Sequence, residues 1–163
     1  MAIGKQEHLE TIRSIKSELI TMLEGMDYCL DWKLDESEWS ARELVYHILE
    51  TPPGGAQNLI NGILAGEVDE YEIWSDLTNI TPERSVYDLP QINADIEGFF
   101  QSLDASISGM ADEDLEGKKV MMHQRTRAVD EERTLNAILE RTLNGHIRDH
   151  LTQIQAIREA LAI

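Results

Sequence analysis

The sequence predicts an all-α protein, a four-helix bundle with a broken second helix and long connections. Three observations carry that reading. Apolar residues recur at three- and four-residue steps in four separate stretches. No two stretches read as convincing strand partners. A Pro-Pro-Gly-Gly run, Pro52 to Gly55, cuts one of the four.

Segment one covers residues 5–26. Leu9, Ile12, Ile15, Leu19 and Leu23 form one stripe, and Gly25 falls where a helix would terminate. Segment two has the clearest start signal. Ser40-Ala41-Arg42-Glu43 fits a capping box, and Trp39 and Leu44 occupy the two positions of a hydrophobic staple. Leu44, Val45, Ile48 and Leu49 make its buried face. Proline inside a helix removes a hydrogen bond and clashes with the preceding turn, so a break is expected at Pro52, with a second helical piece over residues 56–65.

Residues 67–88 read as acidic and aperiodic, with Tyr71, Trp74 and Tyr87 as anchors onto the bundle. Segment three covers residues 89–110, with Ile92, Ile96, Phe99, Leu103, Ile107 and Met110 as its stripe. Residues 111–132 read as a charged loop with a short extended piece at Val120-Met121-Met122. Segment four starts at the N-cap Thr134 and runs almost to the C-terminus, with Leu135, Ile138, Leu139, Thr142, Leu143, Ile154, Ile157 and Leu161 along one side. The long connections suggest a crossover, and residues 1–163 read as a single domain.

Composition narrows the function. Lys and Arg number 14 against 31 Asp and Glu, a formal net charge of −17. Such a surface repels phosphate backbones and anionic lipid, so neither nucleic acid nor membrane is expected as a partner. The one cysteine, Cys29, can build neither an internal disulfide nor a Cys-rich zinc site, and its neighbours Tyr28, Leu30 and Trp32 suggest a buried, inert thiol. Residues 1–5 hold no apolar run of the signal-peptide kind, and no stretch is long and apolar enough to span a bilayer; the expected location is cytoplasmic.

Of the five histidines, His146 and His150 stand four apart on segment four, one turn apart on one face. Counted round a regular helix, they fall in the middle of the stripe of Leu139, Leu143, Ile154 and Ile157. Imidazoles so placed need partners. They could share one transition-metal ion or simply hydrogen-bond across the bundle. His47, at the edge of the buried face of segment two, is the candidate third ligand; alone it would read as an ordinary core or boundary residue. Three histidines from two helices would leave a coordination position open, the pattern of a catalytic metal site. His8 reads as solvated or capping, and His123 lies in an irregular stretch beside Arg125 and Arg127. Asp149 is expected to turn away from the histidine face. Gln153, three residues beyond His150, could hydrogen-bond a ligand or serve as a structural amide. No nucleophile elbow, Walker loop or dinucleotide fingerprint is present.

Two of these stretches carry a resemblance. Trp39-Ser40-Ala41-Arg42-Glu43-Leu44-Val45-Tyr46-His47 resembles the opening of helix two in the DinB/YfiT-like superfamily. Gly145-His146-Ile147-Arg148-Asp149-His150-Leu151-Thr152-Gln153-Ile154 resembles that superfamily's final-helix pattern, His-x-x-x-His-x-x-Gln-Ile. Order and separation match as well, so the likeness extends over nearly the whole chain.

The resemblance implies a four-helix bundle, often dimeric, with a divalent metal, zinc or nickel, on His47, His146 and His150. It implies an enzyme acting on a small molecule: a transferase using a low-molecular-weight thiol as co-substrate, or a hydrolase, with metal-activated thiol or water as nucleophile. A non-catalytic stress-response protein binding a metal or small ligand is the alternative. The sequence departs from the pattern just after His47, where Pro52 to Gly55 interrupts a helix that relatives carry further, which bears on substrate access more than on the ligands. A homodimer is expected, with Phe100 and Ile147 at its interface. The consecutive Phe99 and Phe100 cannot both face one narrow stripe, and Ile147 and Leu151 lie on the flank beyond the histidines.

Overall fold

The computed structural model describes residues 3–163. Helix α1 (Lys5–Leu23) ends before Gly25, whose positive φ of 78° turns the chain away as anticipated. Helix α2 (Ala41–Glu50) starts on the capping box: Ser40 Oγ accepts from Glu43 N, and Glu43 Oε1 accepts from Ser40 N. The break follows at Pro52, and α3 (Ala56–Leu64) resumes beyond it. Gly55, at φ 89°, has no substitute here: a Cβ atom would lie 2.6 Å from the Leu49 carbonyl oxygen. Helix α4 (Leu89–Gly109) is capped by Asp88 and Gln91 in a second capping box.

The last helix starts at Thr134, whose hydroxyl accepts from Ala137 N. It runs as α-helix over Leu135–Glu140, widens into a π-helical segment over Arg141–Ile147, and continues as α-helix over Arg148–Leu161. Helix α1 lies between α4 and this last helix, α2 packs on the last helix, and α3 packs on α4. These contacts close a four-helix ring round Ile12, Ile15, Leu19, Val45, Ile96, Leu103, Leu139 and Ile154, all about fully buried.

The all-α expectation is corrected. The protein is mostly helical, but among the described residues three short strands form one mixed sheet in the order β1-β2-β3. Strand β1 (Glu70–Ile73) runs parallel to β2 (Lys119–Gln124), which pairs antiparallel with β3 (Val129–Thr134). Strands β1 and β2 are joined across α4. The alternation Glu70, Tyr71, Glu72, Ile73 is a period-two signal inside the stretch expected to be aperiodic, with Tyr71 buried and the two glutamates exposed. The extended piece at Val120 to Met122 is the middle of β2. Strand β3 carries Asp130, Glu131, Glu132 and Arg133 and has no hydrophobic signal of its own. Of the three expected anchors, Tyr71 and Tyr87 pack on the core, whereas Trp74 is exposed.

Phe99 and Phe100 are both buried within the chain, edge to face at 5.0 Å, and Ile147 and Leu151 are buried with them. The residues expected at a dimer interface are therefore core residues. The four-helix ring is broad enough to take both phenylalanines. The π-helical segment rotates Ile147 and Leu151 inward from where a regular helix would put them.

His8 is buried rather than solvated, and its Nε2–H donates to Asn136 Oδ1 at 2.6 Å. Cys29 is buried as expected, and burial pushes its thiol pKa up. Among the described residues no helix is long and apolar enough to cross a membrane.

Candidate metal centre

Helix α2 delivers His47 and the last helix delivers His146 and His150. Their ligand atoms lie within 4.8 Å of one another. The Nε2 atoms of His47 and His146 are 2.9 Å apart. The His47 ring centroid is 4.8 Å from each of the other two, and those two are 4.6 Å apart. His47 is buried, while His146 and His150 are half-buried. They stand at the edge of the apolar stripe rather than in its middle. The wider turn of the π-helical segment, which ends just past His146, sets Leu143 and Ile147 into the core and leaves the two imidazoles facing a cleft.

Two hydrogen bonds set the ring orientations. His47 Nδ1–H donates to the Leu77 carbonyl at 2.6 Å, and Thr51 Oγ1 stands 3.3 Å from the same nitrogen. His150 Nδ1–H donates to Gln153 Oε1 at 2.5 Å. Both bonds occupy Nδ1 and leave the Nε2 lone pair free, the tautomer that an imidazole ligand uses. Gln153 thus holds His150, one of the three candidate ligands.

The loop that offers the Leu77 carbonyl is itself held. Arg84 donates to Asn79 O at 2.7 Å and pairs with Glu50 at 2.8 Å. Arg42, its side chain buried, donates to the carbonyls of Arg84 and Tyr87 and pairs with Asp31 at 2.7 Å. Trp39 packs against His47 at 4.7 Å and stacks on His150 at 6.1 Å. It walls one side of the histidine group, a role that its staple position does not reveal.

All three imidazoles are held neutral. Burial pushes the pKa of His146 down to about 3, with His150 and His47 adding repulsion. Burial likewise lowers His47 and His150, against smaller opposing effects of the Leu77 carbonyl and of Gln153 and Asp149. Three neutral imidazoles whose ligand atoms lie within 4.8 Å of one another are the donor set that a divalent transition metal needs, so the residues fit the ion.

The cleft has a volume of about 540 Å³ and is lined by the three histidines together with Pro52, Ile73, Gln124, Arg127, Arg133, Arg141, Thr142 and Asp149. Pro52, in the break after α2, is therefore part of its wall. Asp149 is exposed but borders the cleft instead of turning fully away. His123 lies elsewhere: on the outer face of the sheet its Nδ1 meets Asp130 at 2.7 Å. The arginines come from β3, the turn before it and the π-helical segment. Only their meeting in three dimensions marks them, and no spacing in the sequence does.

Comparison with solved structures agrees with this architecture. The chain is similar to YfiT from Bacillus subtilis, described as a probable metal-dependent hydrolase with an unusual four-helix bundle topology. The TM-score is 0.73 at 15% identity, over 97% of this chain and 87% of that one. It is similar to DfsB, a sibling lethal factor precursor, with TM-score 0.67 at 13% identity over 99% and 98%. It is also similar to the colibactin self-resistance protein ClbS, solved in complex with double-stranded DNA, with TM-score 0.61 at 13% identity over 96% of each chain. No family profile matches the sequence, and no curated protein matches it by sequence comparison. The likeness to YfiT expected from the two motifs is present in the fold.

Proposed function

We propose that the protein is a divalent-metal-dependent enzyme acting on a small molecule, as a hydrolase or as a low-molecular-weight-thiol transferase. The observation that carries the reading is the convergence of three neutral imidazoles at the wall of an open cleft, with the Nδ1 positions of His47 and His150 already occupied. A bound zinc or nickel ion would supply Lewis acidity, making a water or thiol beside it nucleophilic at neutral pH. The chain's part is to hold and orient. His47, His146 and His150 hold the ion, the Leu77 carbonyl and Gln153 fix two of those rings, and Trp39 excludes water from one side. Asp149, the carboxylate bordering the cleft, is the group placed to accept a proton. The printed description of YfiT supports the hydrolase branch; the transferase branch rests on the motif resemblance.

A non-catalytic metal- or ligand-binding protein is the second reading. It is favoured by the scarcity of acid–base groups in the cleft, where Asp149 is the one carboxylate among the described lining residues. A thiol panel with a generic electrophile, run beside an ester and amide hydrolysis panel, separates the readings. Turnover that needs added metal and is lost in His150→Ala supports the enzyme. Stoichiometric metal binding without turnover in either panel supports the alternative.

Nucleic acid and membrane are not partners in this reading, because a net charge of −17 opposes both. The double-stranded DNA in the ClbS structure is a property of that protein. A cytoplasmic location and a homodimer complete the proposal. The dimer is supported by Tyr28, Trp32 and Leu34, large apolar residues exposed close together in sequence.

A further inference from the structure

The cleft beside the histidines is basic, in a protein that is strongly acidic. Arg127, Arg133 and Arg141 all line it, three of the chain's 14 Lys and Arg residues. Arg133 is the informative one. Its side chain is only 12% exposed, and its Nε–H is buried without a hydrogen-bond partner. Its Nη1 reaches the Tyr71 hydroxyl at 3.5 Å, a marginal contact. The carboxylate of Glu131 stands 3.8 Å away and makes its closer contact, 3.1 Å, with Arg141. Arg127, at the turn between β2 and β3, forms no ion pair among the described residues. Counting Asp149 and Glu131 against them, cations still outnumber acids around the cleft.

A buried guanidinium with an unmatched N–H is costly unless something completes it. Its planar fork suits one kind of partner above others, an oxyanion that accepts two parallel hydrogen bonds. The sheet is what brings the fork here. Arg133 pairs in register with Val120, whose side chain is buried, so the alternation of β3 turns Arg133 inward with it. The cleft volume lies in the range of small-molecule sites.

We infer that this cleft takes a small ligand bearing a carboxylate or phosphate group, gripped by Arg133 with help from Arg127 and Arg141. The other end of that ligand faces the three histidines. For that reacting end the inference rests on the proposed function; the anion grip stands on the arginines alone.

The test titrates inorganic phosphate and succinate separately into metal-free protein by calorimetry at low ionic strength. Zinc uptake by wild type and His150→Ala is measured alongside. At least one anion is expected to bind wild type, and its affinity to fall about tenfold or more in Arg133→Gln and in Arg127→Gln. Arg133→Lys, which keeps the charge and loses the fork, is expected not to restore it. Binding of phosphate alone assigns a phosphorylated ligand, and binding of succinate alone a carboxylate.

Absence of binding by wild type, or equal affinity in wild type and both glutamine variants, overturns the inference. So does a DNA duplex that binds through Arg127 when neither small anion does. Arg127 is exposed at a turn, so its variant carries the test if Arg133→Gln does not fold. Anion binding without zinc uptake refutes the metal site and leaves the anion site standing; zinc uptake without anion binding does the reverse.

Discussion

His47 and His146, 99 positions apart in sequence, meet Nε2 to Nε2 at 2.9 Å across the bundle. Because His47 Nδ1–H is committed to the Leu77 carbonyl, His47 Nε2 has only a lone pair to offer. Without a cation between them, His146 must supply the proton of that contact from its own Nε2. A metal bound there would take the place of the proton, with His146 in the other tautomer.

From that contact follows the first prediction. Protein purified without a His tag and exposed to zinc or nickel is expected to bind one ion per chain. The double variant His146→Ala/His150→Ala is expected to bind none at the same concentration. Elemental analysis after gel filtration reads both. Equal metal content in the two proteins would falsify the site.

Gln153 is an exposed residue whose side chain, among the described residues, hydrogen-bonds His150 Nδ1. Gln153→Ala is expected to weaken metal affinity by about tenfold to about a hundredfold, because the His150 ring loses the partner that fixes it. Its thermal midpoint without metal is expected to stay at the wild-type value. Competition with a chromogenic chelator measures the first quantity and calorimetry the second; an unchanged affinity would show that Gln153 does not orient the ligand.

The helices and the histidines were legible because their signals are local. The capping box at Ser40, the Pro52 break and the four stripes are patterns within one or two turns, and His146 and His150 are one turn apart. The small sheet was not legible for a matching reason. Strand β1 is four residues long, β3 is almost wholly polar, and the parallel pairing of Tyr71 with Met122 joins residues separated by all of α4. The cleft arginines are carried by that sheet and by the π-helical segment, so they stayed hidden with it. The π-helical segment also defeated the wheel count that put the histidines mid-stripe and Ile147 outside.

Assembly is tested by sedimentation at micromolar concentration, where a homodimer is expected. A single species near 18.5 kDa would refute it. Since Phe100 and Ile147 are core residues, Phe100→Glu is expected to unfold the chain instead of dividing a dimer. Trp32→Glu and Leu34→Glu are the informative variants. Both residues are exposed in the single chain, and their substitution is expected to leave a folded monomer.

Arg42 ties three segments together, through Asp31 and the carbonyls of Arg84 and Tyr87. Arg42→Met keeps much of the apolar stem and strands both carbonyls. A loss of about 3 kcal/mol in urea unfolding is expected. Because Arg84 holds the loop that carries Leu77, metal affinity is expected to fall in the same variant even where it remains fully folded. Full metal affinity in folded Arg42→Met would show that the loop does not depend on this clamp.

The depressed histidine pKa values set the last prediction, and their sign is the opposite of a salt-bridged histidine's. In the unfolded chain each imidazole takes up its proton near pH 6.5. In the folded, metal-free protein His146 does so only near pH 3, and His47 and His150 also lie below their usual value, all through burial. Between those limits the unfolded state binds more protons, so stability rises with pH and is lost as pH falls below about 6.5. His146 alone adds about 1.4 kcal/mol per pH unit to that slope in its steep part. His123 works against the trend. Its hydrogen bond to Asp130 raises its pKa, so its stabilisation is present at low pH and fades as pH rises. Urea unfolding of wild type and His146→Gln between pH 5 and about pH 7 isolates the contribution, because the other groups are common to both. The variant is expected to show the shallower dependence on pH whatever its absolute stability. Parallel curves would mean that His146 titrates normally and is not held in a dry, neutral site.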